Sequence, residues 1–140
     1  MMRHARETQR GSVTLWAVII ATSFMLVVGL VVDGGAKLRA GQKADQVARE
    51  AARSAAQAVS GDPILGNPGL VDNTRARNAA EDYLKTAGVP GDVVIADGEA
   101  QVTTYVSFQP VFLSAVGIGQ ITVKGHASAQ VKRVYEGAQR

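Results

Sequence analysis

From Gly11 to Val32 the chain reads GSVTLWAVIIATSFMLVVGLVV, without one charged residue. About 20 consecutive apolar residues cover a bilayer as a helix, and a helix that is apolar on every side has no face to turn to water. Residues 12–32 are therefore expected to form a transmembrane helix. Ser12, Thr14, Thr22 and Ser23 are its polar interruptions. The hydroxyls of Thr22 and Ser23 can bond back to their own helix, and Ala17 with Ala21 forms a small-xxx-small step that a neighbouring helix could approach. The competing reading is a removable secretory leader, because a basic start precedes the run and Gly34, Gly35 and Ala36 loosely fit a cleavage site. A leader core is about 7 to 15 residues long, shorter than this run, which favours the anchor.

The chain has 140 residues, enough for one small domain beyond the span. It has no cysteine, so packing alone must hold that domain and the redox compartment stays open. Fifteen Lys and Arg against twelve Asp and Glu give a formal charge of +3. Much of that excess sits in a basic leader, residues 1–11, which holds Arg3, Arg6 and Arg10 against Glu7; without them twelve basic and eleven acidic side chains remain. Basic residues favour the cytoplasmic end of a span, so the leader is expected inside. Lys37, Arg39 and Lys43 just past the other end weigh against that orientation. Aromatics make up 5% of the residues and no basic stripe is interleaved with them, so a nucleic-acid partner is not expected.

Beyond Asp33, Gly34 and Gly35 the composition turns to AKLRAGQKADQVAREAARSAAQAV, rich in strong helix formers. Ala40, Ala44, Val47, Ala48, Ala51, Ala55 and Val59 recur at spacings of three and four, one apolar stripe, with Lys43, Arg49, Glu50, Arg53 and Gln57 off it. This places an amphipathic helix over 33–59, a surface to pack on the chain's own sheet or on another subunit. It is continuous with the span unless the glycines, Gly34 and Gly35 first among them, act as a hinge. Residues 60–140 make the expected extracytoplasmic α+β domain. Ser60 to Leu70 is a Gly- and Pro-rich loop. A short helix follows, capped by Asp72 or Asn73, turning Ala76, Ala79, Ala80, Tyr83 and Leu84 inward and ending at Gly88 and Pro90.

The remainder alternates as strands. Asp92 to Asp97 and Ala100 to Phe108 flank Gly98 and Glu99 as a hairpin, with Val102, Val106 and Phe108 on one face and Gln101, Thr103 and Ser107 on the other. Pro110 to Gly119 is an apolar connector expected to tuck under the sheet. From Ile121 a last strand turns Val123, Ala127, Ala129 and Val131 inward, opposite Thr122, Lys124, His126, Ser128 and Gln130.

Catalytic chemistry is poorly supplied. A nucleophile and base must lie within hydrogen-bond reach, yet the imidazoles are His4, in the leader, and His126, on a polar strand face beside Lys124 and Ser128. A zinc site needs about four clustered ligands. Asp92, Asp97 and Glu99 could in principle meet calcium, but Gly98 among them reads more simply as turn chemistry. Gly117 and Gly119 precede a strand, not a helix, and so make no phosphate loop. The expectation is a protein that is not an enzyme and uses no cofactor or metal.

RGSVTLWAVII (Arg10 to Ile20), VVDGGAKLRAGQKADQVAREAARSAAQ (Val31 to Gln57) and FLSAVGIGQITVKGHASAQV (Phe112 to Val131) together resemble the TadE/TadG-like proteins of the tight adherence (Tad, or Flp) pilus system. The resemblance implies a pilin-like layout and a minor pilin-like subunit, anchored through its N-terminal helix with its C-terminal domain outside. It also implies partners in the bilayer, in other pilin-like subunits and in the Tad assembly platform. In cleaved members a prepilin peptidase cuts after a Gly at the leader's end, and a Glu stands at the fifth mature position. Gly11 followed by Ser12 matches that junction; the fifth residue here is Trp16, which supplies no carboxylate and suits a membrane interface instead. An uncleaved, TadG-like anchor stays open, as do an unrelated single-span anchor displaying a binding domain and an exported soluble protein.

Overall fold

The computed structural model describes residues 8–60 and 73–131. Residues 1–7 of the leader, the loop beyond Ser60 and the capping role offered to Asp72 lie outside them. The elements run α1 (Thr8–Ser60), α2 (Asn73–Ala87), β1 (Gly91–Ala96), β2 (Glu99–Phe108), α3 (Phe112–Ala115) and β3 (Ile121–Gln130). This is the α+β class expected, with one antiparallel sheet in the order β1-β2-β3. Gly34, Gly35 and Gly41 are all taken up in α1, so the helix continues through the candidate hinge.

Contacts divide the chain into two units. One holds the chain up to Ala36 together with Gln109–Gly119; the other holds Lys37–Phe108 and the chain from Gln120 onward.

In the second unit the alanine stripe is the floor of the core. Ala44, Ala48, Ala51 and Ala55 of α1 are buried with Ala76, Ala80 and Leu84 of α2 and with Ala100 and Val102 of β2, while Arg49 and Arg53 stay exposed. Because alanine buries little area, the cohesion of such a core depends on how closely the backbones approach. One such close approach is at Ala44. Thr104 and Gly125 are directly opposed on β2 and β3, and both face that residue. The fully buried Thr104 hydroxyl donates to the Ala44 carbonyl at 2.7 Å, and a Cβ on Gly125 would collide with the Ala44 carbonyl group. Only glycine lets the strand lie so near the helix.

The helix and strand ends carry their own signatures. After α2, Gly88 is left-handed (φ 64); its N–H donates to Lys85 O and that of Val89 to Leu84 O, both at 3.1 Å, a Schellman closure with Val89 and Leu84 in the core. The β1–β2 turn is Asp97-Gly98, with φ of 52 and 76, not Gly98-Glu99 as the alternation suggested. Glu99 already pairs with Ala96, and both central residues of such a tight turn need positive φ, which suits Asp and Gly better than Glu. The alternation is as expected: Val102 is buried and Val106 and Phe108 half-buried, Gln101 and Ser107 are exposed, and on β3 the even-numbered Thr122 to Gln130 are turned out; Ala100 and Thr104, also buried, complete the inner face of β2.

The connector comprises residues 110–119, of which Pro110 is fully buried. They contain α3 and group with the N-terminal part of α1.

Candidate functional site

The first unit is built on an unusual helix surface. Between Val13 and Val32 the large side chains are turned outward on every side, with Phe24, Met25, Leu26 and Leu30 among the most exposed. Mean hydropathy over the best window is 2.6, with 6% of that window buried. Water would penalise each of these side chains, whereas hydrocarbon does not. The helix thus fits a membrane anchor. Ser23 donates its hydroxyl to Ile19 O at 2.8 Å, hiding one of the polar groups from an apolar surround.

Two positions interrupt the exposed surface, Gly29 and Asp33, four residues apart and so on one face. Gly29 is buried because Phe112 lies on it: a Cβ there would meet the Phe112 ring at 2.7 Å. Asp33, 5% exposed, receives the start of α3. Its Oδ1 accepts the Val111 N–H at 2.7 Å, and its Oδ2 accepts those of Phe112 at 3.0 Å and Leu113 at 2.8 Å. Burial opposes the charge, but the N–H groups of Leu113, Val111 and Phe112 favour it and prevail, holding the carboxyl below its ordinary value. The first turn of a helix leaves its N–H groups without intrahelical partners, and here one carboxylate from another helix supplies them. At the other end Gly117 is left-handed (φ 88), and Ile118 N–H to Leu113 O and Gly117 N–H to Ser114 O, both at 3.0 Å, close the helix as at α2.

Asp33 carried no assignment from sequence, because its partners lie 78 to 80 residues away. The signal that could have found it is the pairing of a small residue and an acid at i and i+4 where the charge-free run ends, with a second uncharged apolar stretch later in the chain.

Gly11 and Ser12 lie inside α1 and are exposed. A Cβ at Gly11 would meet nothing within 4 Å, so no packing demand accounts for a glycine there. Trp16 is likewise exposed.

The outer sheet face carries cross-strand polar pairs. Thr103 and His126 bond at 3.1 Å, Ser107 and Thr122 at 2.8 Å, and Lys124 lies 5.6 Å from the Tyr105 ring centroid. The Tyr105 hydroxyl donates to Asp92 at 2.8 Å, and that bond, with the carboxylate's charge, pushes the phenol above its ordinary value. Each pair is opposed in register or, for Tyr105 and Asp92, diagonal on neighbouring strands, the usual dressing of a sheet face turned to water. Among the described residues no three His, Cys, Asp or Glu come together as a metal set.

Residues 11–53 match the family described as TadE-like protein. The matched stretch takes in most of the first two motifs that carried the resemblance, including the charge-free run, Asp33 and most of the alanine stripe. The third motif, Phe112 to Val131, lies outside it. No curated protein and no solved structure matches the chain.

Proposed function

We propose that this TadE-like protein is a minor pilin-like or assembly subunit of a Tad pilus system, held in the cytoplasmic membrane by residues 12–32 with its N terminus inside and its α+β domain outside. The observation that carries the reading is that one uninterrupted helix joins an all-apolar half to an alanine-packed half, and that the family match runs across the junction between them. Such a helix can hold a small domain at the membrane surface and offer its exposed apolar half to neighbouring membrane helices, which the small step at Ala17 and Ala21 would admit closely. Its partners are the bilayer, other pilin-like subunits and the Tad assembly platform, with a prepilin peptidase acting at Gly11 and Ser12. The role is structural, without catalysis, cofactor or nucleic acid.

Deleting the gene in its own host and restoring it on a plasmid tests the assignment. The shear-released pilus fraction should fall on deletion and return on complementation; unchanged piliation would overturn it. Intact-mass measurement of the membrane-extracted protein, with the peptidase present, tests processing. A species beginning at Ser12 is expected, and one retaining Met1 to Gly11 would assign the chain to the uncleaved anchors.

A further inference from the structure

The segment around α3 combines two properties that conflict in water. Four of its apolar side chains are turned outward: Val116 is 74% exposed, and Val111, Leu113 and Ile118 are open with it, whereas Pro110 is buried and Phe112 half-buried. No charged residue occurs from Gln109 to Gly119. Its main-chain N–H groups at both ends, in contrast, are paired within the protein. The N–H groups of 111, 112 and 113 end on Asp33, Pro110 has none to offer, and those of 116, 117 and 118 return to Leu113 O and Ser114 O. The Ser114 hydroxyl donates to Val111 O at 2.7 Å. A water-exposed loop has no need of such closure, and a protein partner could supply hydrogen bonds of its own. Lipid tails supply none, so a segment that enters them must satisfy its backbone internally.

Position supports the same occupant. Phe112 rests on Gly29, one helical turn or about 6 Å before Asp33, and so within the charge-free run. The exposed apolar side chains therefore continue the surface of the span itself. We propose that residues 111–118 enter the bilayer beside the end of the transmembrane helix, forming a second lipid contact pinned by Asp33. This rests on the reading of residues 12–32 as a membrane anchor. It assigns Asp33 the task of making an apolar loop acceptable to hydrocarbon.

Fluorescence of the full chain in proteoliposomes containing brominated phosphatidylcholine tests it. Trp16 is the single tryptophan, so Trp16→Phe gives a silent background into which Val116→Trp and, separately, Phe24→Trp are placed, both at exposed positions. The residue-24 probe reports the anchor; the residue-116 probe reports the loop. Strong loss of emission at both, with the residue-116 probe quenched more by shallow than by deep bromines and insensitive to aqueous iodide, is the expected result. Quenching at 24 with iodide access at 116 would overturn the inserted loop and leave the anchor standing. Quenching at 24 with residue 116 shielded from both bromine and iodide would mean that a protein covers the loop, and would also overturn it. Absence of lipid quenching at 24 would refute the anchor itself.

Discussion

The two halves of α1 treat apolar residues in opposite ways. Up to Asp33 the large hydrophobics point outward, and two positions are covered: Gly29 under Phe112, and Asp33 by three N–H groups. After Ala36 the small residues are inside and nothing larger than Val47 joins them from the helix. Burial inside the protein is thus no measure of hydrophobicity along this helix. What changes is the surrounding medium: side chains that face lipid can be large, whereas a helix that must receive a strand against its own backbone needs alanine facing glycine. Each half places its polar groups accordingly, with Thr104 bonded into the core contact at Ala44 and Asp33 bonded to the end of a second helix.

Breaking the alanine half should have the largest effect. Gly125→Val would drive side-chain atoms into the Ala44 backbone, where a single Cβ already stands far inside contact distance. Overpacking costs about 1 to 3 kcal/mol when a core can adjust and more when backbone blocks it, and a small core has little stability to spare. Loss of the cooperative thermal transition by circular dichroism is expected. The apolar half responds to a different change. Asp33→Ala removes the acceptor for three N–H groups at once, so the amides of 111–113 should exchange with deuterium at least about an order of magnitude faster, without a change in the amides of β2. A milder probe is Thr104→Val, which keeps the shape and deletes one buried hydroxyl bond, at about 1 kcal/mol, read as a small fall in the melting temperature. Smallest is the effect of pH. Because the folded carboxyl of Asp33 lies below its ordinary value, its contribution is present above the ordinary carboxylate range and is lost as pH falls through the lowered one. Protection of amides 111–113 should therefore persist at pH 5 and weaken only in stronger acid, and Asp33→Asn should abolish that dependence.

Much of this was legible in the residues. The charge-free run, the alanine period and the strand alternation each repeat a pattern over many positions, so a single exception does not hide them. The docking points were not legible, because each is one residue whose meaning depends on a distant partner. Thr104 sits at an inward position with a polar side chain, Gly125 interrupts a strand, and Asp33 looks like the boundary of a helix. The bonding of the connector at 110–119 to Asp33 was hidden for a related reason: apolar side chains say that a segment avoids water, but not what takes the water's place.

The central claim is that α1 changes medium near Asp33, and the absence of cysteine allows it to be tested one position at a time. Single cysteines from Val13 to Val59, spin-labelled in proteoliposomes, would be measured for collision with oxygen, which enriches in lipid, and with a water-soluble nickel complex. The account predicts high oxygen and low nickel access throughout 13–28 and 30–32, without helical period, Gly29 being covered by Phe112. Beyond Lys37 it predicts a 3.6-residue alternation, with nickel reaching Lys43, Arg49 and Arg53 and neither reagent reaching Ala44, Ala48 and Ala51. Nickel access along 13–32, or one continuous helical period through both halves, would contradict it.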